Sequence, residues 1–144
     1  MIAVDTNILV YAHRADSPFH ERARSALESL AARAGEWAIP WPCAHEFFAI
    51  VTHPRIYKTA TPPETAFAQL RALHALANLA FIAEADDYLQ RLEPLALTAK
   101  VHGGAIHDAR IAAICLSHSV TELWSVDRDF ARFPALTIRN PVVG

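Results

Sequence analysis

Short apolar runs alternate along this chain with longer stretches whose apolar residues recur at three- and four-residue spacing. Residues 1–4, 37–40, 79–83, 122–126 and 136–138 have the length and composition of buried strands. Helical periodicity fills the gaps and predicts helices over residues 7–14, 18–35, 42–52, 63–78, 86–100 and 107–119. The chain breakers agree with these limits. Pro18 follows Asp16 and Ser17, a helix-start pattern, and Pro42 suits a first helical turn. Pro54 stops one helix, Gly103 and Gly104 interrupt the chain before another, and Pro94 is set to kink the helix that contains it. Residues 127–133 read as a turn or short helix. The segment HPRIYKTATPP at residues 53–63 reads as a loop; it holds three of the nine prolines and is the candidate for a mobile flap.

Strands that alternate with helices predict an α/β fold with a parallel sheet of four to five strands. No repeat, low-complexity tract or linker interrupts the pattern, so residues 1–144 read as a single domain.

Composition narrows the class. Hydrophobic residues are 53% of 144, enough for a real core and too many for a disordered tail. No apolar run reaches the ~20 residues of a membrane helix. No basic region precedes the first apolar stretch, so the N-terminus does not read as a signal peptide. The two cysteines, Cys43 and Cys115, lie far apart, which argues against a disulfide scaffold or a cysteine-rich zinc site and fits a reducing cytoplasm. Both read as small buried apolar residues. The net charge of −2 gives no support to binding nucleic acid through bulk positive charge, although a few arginines near a site would suffice.

The acidic residues carry the chemical signal. In a parallel sheet the C-terminal ends of the strands share one edge, and ligands bind there. Asp5 ends the first strand, and Glu46 falls in the first turns of the helix after the second. Asp108 falls in the first turns of the helix that feeds the fourth strand, whose start lies at the same edge. Asp127 and Asp129 follow the fourth strand. Taken singly, these are ordinary caps, dipole partners and turn formers. Those roles give no reason for all of them to meet on one rim. Clustered like charges need a proton or a cation, and Mg²⁺ suits a few carboxylates with room left for phosphate. A metal so placed can activate water and stabilise charge on a phosphodiester.

The segments VDTNILVYA, EFFAIVTHPRIY, HDARIAAI and SVDRDF, in that order, resemble the PIN domain, and more narrowly the VapC-like toxins of toxin–antitoxin pairs. The resemblance covers almost the whole chain. It implies a three-layer α/β/α sandwich and an endoribonuclease dependent on Mg²⁺ or Mn²⁺. It also implies a homodimer and a cognate VapB-like antitoxin whose C-terminal segment blocks the site. Matched residue by residue, Asp5, Glu46, Asp108 and Asp127 take the places of the four family acids, as catalytic and metal-binding residues. Thr6, Asn7, Ser125 and Asp129 take supporting places. Ser125 stands where the family more often has threonine, and the hydroxyl is kept.

Other chemistries fit less well. Among eight histidines there is no HxxxH or HExxH, which argues against zinc. His45 and His107 each precede an acid on a helix, and neighbours there point about 100° apart, so each ring is expected to face away from its acid. Four glycines include no phosphate-binding loop. Trp37, Trp41, Phe47, Phe48 and Phe67 read as packing or dimer residues, and Arg55 as a solvated arginine. A haloacid-dehalogenase-like phosphatase also opens on a strand ending in Asp, but needs a second Asp where this chain has Asn7. A catalytically silent PIN domain that only binds a partner would show lost acids, and all four are present.

Overall fold

Five strands of three or four residues form one sheet: β1 (Ile2–Val4), β2 (Trp37–Pro40), β3 (Leu79–Ile82), β4 (Glu122–Trp124) and β5 (Thr137–Arg139). The structure, a computed structural model, describes residues 1–143. The strand order is β3-β2-β1-β4-β5, and every pairing is parallel. The connections are α1 (Thr6–His13) and α2 (His20–Ala32), α3 (Trp41–Val51) and α4 (Pro63–His74), and α5 (Tyr88–Thr98) and α6 (Ile106–Ser117). Short 3₁₀ turns occupy Gly103–Ala105 and Arg128–Arg132. From β1 the chain moves outward to β2 and β3, then crosses back to β4 and β5. The first four helices pack on one another and α5 pairs with α6. Right-handed crossovers put these two groups on opposite faces, as the α/β/α sandwich requires.

The reversal of direction lies between β1 and β4. In open parallel sheets this is where a crevice forms beyond the strand ends. The core beneath it is dry: Ala3, Val4, Trp37, Ala38, Ile39, Phe47, Ile114 and Leu123 are fully buried. The short strands owe their stability to this two-sided cover rather than to length.

Element limits follow local chemistry. Pro42 and Pro63 sit in the first turns of α3 and α4, where a missing N–H leaves no bond unmade. Helix α5 starts at Tyr88, two residues later than its periodicity suggests, and continues through Pro94. Helix α4 stops at His74 because Asn78 is needed as a staple. The Asn78 side chain donates to the carbonyls of Leu30, Arg33 and Gly35 at 2.9, 3.0 and 3.1 Å. Its carbonyl accepts the Trp37 indole N–H at 3.2 Å. One amide thus ties the end of α2 to the starts of β2 and β3. Asn78→Ala leaves these groups without their partner and should lower stability by about 2 kcal/mol in urea denaturation. An unchanged midpoint would show that water replaces the amide freely.

Candidate metal centre

The rim of the crevice is organised by a buried carboxylate. Asp5 directly follows β1, and its backbone N–H extends the ladder to Trp124 O at 2.9 Å. Its carboxylate makes no capping bond into α1. Instead Oδ2 accepts the Ser125 hydroxyl at 2.6 Å, and Oδ1 accepts the Cys43 thiol at 3.5 Å. Asp5 is 5% exposed. Burial pushes its pKa up, and the Ser125 bond opposes that shift. The capping role open to Asp5 in the sequence is therefore not the one it plays.

Ser125 links the first acid to the later ones. Its oxygen accepts the Asp127 N–H at 3.0 Å, so its proton is left for Asp5. Asp127 Oδ1 in turn accepts the Asp129 N–H at 2.8 Å, which fixes the 3₁₀ turn. Asp127 does act as a cap, and the same turn brings Asp129 back beside it. Carboxylate oxygens of Asp108, Asp127 and Asp129 lie within 4.8 Å of one another. The half-buried Asp108 carboxyl is raised above its ordinary value by burial, then by the charges of Asp127, Asp5 and Asp129, with Arg132 acting the other way.

Glu46 is at the same rim but outside that three-acid group. The buried Thr6 hydroxyl lies 3.2 Å from Glu46 Oε2 and 3.5 Å from the Cys43 carbonyl, and so holds this exposed acid beside Asp5. Asn7 is half-buried, and its side chain makes no hydrogen bond among the described residues. Asp129, expected as a helper, stands level with Asp127. Cys43 was read as an apolar filler, yet its thiol faces Asp5. The readable signal was its i,i+3 spacing from Glu46, which puts both on one helix face. Burial raises the Cys43 thiol well above its ordinary value and pushes Cys115 up to about 12, so both stay neutral thiols, and Cys43 donates to Asp5. Trp41 packs against Phe81, as a packing residue should, yet it stays 37% exposed. His45, expected to face away from Glu46, lines one cavity with it; His107 lines the same cavity, and the Asp108 beside it does not.

The donors suit a hard divalent cation. They are all carboxylate oxygens, and none of these five acids is in an ion pair among the described residues. Their mutual repulsion is opposed only at longer range, by Arg132 acting on Asp108.

Comparison with known proteins places this arrangement. The family model described as PIN domain matches residues 2–136. The chain belongs to the PIN domain family. Ribonuclease VapC43 of Mycobacterium tuberculosis is 35% identical over 144 residues, covering 100% of this chain and 97% of its own. Ribonuclease VapC48 of the same organism is 30% identical over 140 residues, covering 97% of each chain. In the crystal structure of VapBC2 from Rickettsia felis bound to a DNA fragment from their promoter, one chain superposes with a TM-score of 0.70 at 22% identity. The match covers 97% of this chain and 98% of that one. The parallel sheet and its flanking helices are thus those of a PIN domain.

A PIN domain with uncompensated acids should be strained in the absence of metal. Asp108→Asn in EDTA should raise stability by about 1 kcal/mol, read as a rise of roughly 3 °C in the melting midpoint. A fall would mean that Asp108 serves α6 as a dipole partner more than it suffers from its neighbours.

Proposed function

We propose that this PIN domain is a metal-dependent endoribonuclease and the toxin half of a VapBC-type module. The observation that carries the reading is the convergence of Asp5, Asp108, Asp127 and Asp129 on the switch-point crevice, none of them in an ion pair among the described residues. The full-length similarity to mycobacterial VapC ribonucleases supports RNA as substrate. The whole chain acts as one nuclease domain, as a homodimer and in the cytoplasm. Among the described residues, no helix is long and apolar enough to cross a membrane.

Asp5, Asp108, Asp127 and Asp129 would hold Mg²⁺, with Mn²⁺ able to replace it. When bound, such an ion supplies positive charge to the phosphodiester and acidifies water. Ser125 favours the ionised form of Asp5 against its burial and orients it, and Cys43 holds its other oxygen. Glu46, exposed and steered by Thr6, is placed to accept the proton that attacking water loses at phosphorus.

A fluorogenic RNA cleavage assay with Mg²⁺, Mn²⁺ or EDTA tests this. Cleavage should need the metal, and Asp5→Asn should reduce it by roughly 100-fold or more while the near-isosteric amide preserves the fold. Asp129→Asn should cost less activity than Asp127→Asn, because Asp127 also fixes the turn. Cleavage by a folded Asp5→Asn protein at the wild-type rate would sink the reading.

The same acids explain how such an enzyme is silenced. An antitoxin tail should place an arginine among Asp5, Glu46, Asp108 and Asp127, because its guanidinium fork pairs with two carboxylate oxygens at once. In calorimetry, Mg²⁺ should weaken tail binding more than Na⁺ at equal ionic strength. Identical effects of the two salts would place the inhibitor elsewhere.

A further inference from the structure

An acid rim on a chain of net charge −2 repels RNA, so the strand needs local partners beside the rim. We propose that the cavity between α3 and α6, with the Trp41 ring next to it, is a track for the single-stranded RNA flanking the cleaved bond. This rests on the ribonuclease reading. The cavity measures about 410 Å³, and Glu46 forms one wall, so it opens from the acid site. His45 on α3 and His107 and Arg110 on α6 face into it. Neither histidine ring makes a hydrogen bond to the protein among the described residues. Arg110 Nε donates to Glu84 at 2.6 Å, which sets the guanidinium in place at the cavity wall.

The track continues onto an aromatic platform. The Trp41 and His45 rings are nearly parallel, at 27° with centroids 6.0 Å apart. Trp41 is backed by Phe81 at 4.6 Å, so its 37% exposure is held in a fixed pose. Arg71 and His74 line a second cavity together with Trp41 and Phe81. Donors interleaved with an exposed ring are what a single strand uses: backbone phosphates take the cations, and a base takes the ring. Trp41 and Glu46 lie on one helix, and His45, which stacks on Trp41 and lines the cavity with Glu46, connects the two. A protein segment is the weaker occupant, because an apolar chain would bury the His45 and His107 rings without partners.

The test uses a labelled single-stranded RNA of six to eight nucleotides and the full chain carrying Asp5→Asn, with Mg²⁺ present. Trp37 and Trp124 are 0% and 6% exposed, so quenching of tryptophan emission by RNA reports Trp41. RNA should quench that emission, and Trp41→Phe should abolish the quenching in a folded protein. The double change His45→Ala, His107→Ala should weaken binding measured by anisotropy about 5- to 10-fold. RNA that binds with no quenching and with equal affinity for the double variant overturns the track while leaving the ribonuclease reading intact. So does a loss of antitoxin binding or self-association in these variants with RNA binding unchanged. Neither binding nor metal-dependent cleavage of any RNA by the wild-type chain overturns both.

Discussion

Repulsion among carboxylates on one sheet edge is the constraint around which this molecule is built. Asp5 is nearly sheltered from water, and Asp108 is raised by burial and by three acidic neighbours. A chain selected only for stability would separate these groups or pair them with arginine or lysine. Here the arginines form their ion pairs elsewhere, with Asp16, Glu21, Glu28, Asp87 and Glu84. The acids are held together by hydrogen bonds that run along the edge, from Asp129 and Asp127 through Ser125 to Asp5. Those bonds cross from one strand end to the next. They therefore work only while β1 and β4 stay in register, which the dry core beneath them enforces.

Much of this could be read from the chain because the acids sit at punctuation marks. A strand that stops at Asp5, a Pro-led helix that carries Glu46 and a turn after Ser125 are set by local rules, and a parallel sheet gathers their ends. What could not be read depends on side-chain direction. Thr6 turns to Glu46, the Cys43 thiol turns to Asp5, and the turn folds Asp129 back on Asp127. Helical neighbours point apart, yet His45 and the Glu46 beside it both line the cavity, whereas Asp108 beside His107 does not. The same geometry aligns residues four apart, so Trp41 and His45 share a face, and α6 brings His107 across to meet them. Asn78 reads as the tail of a helix, yet its amide is drawn away by three carbonyls that only the folded chain brings together.

The site and its surroundings pose opposite electrostatic problems. The rim must be acidic to hold a cation, yet the substrate is a polyanion. A modest overall charge avoids both indiscriminate binding to nucleic acid and long-range repulsion. In the proposed track, local donors on α3 and α6 would set where a strand can approach. On the proposed reading the same rim would attract metal and a guanidinium alike, so catalysis and inhibition by a partner would compete for one set of oxygens.

The central claim is that these carboxylates are kept together to hold a divalent cation. The direct measurement is titration of the purified chain with Mn²⁺, with free ion followed by electron paramagnetic resonance. The account predicts saturable binding of one or two ions to the wild-type chain, and its loss in a folded protein carrying both Asp5→Asn and Asp108→Asn. Equal binding by the two proteins would contradict it.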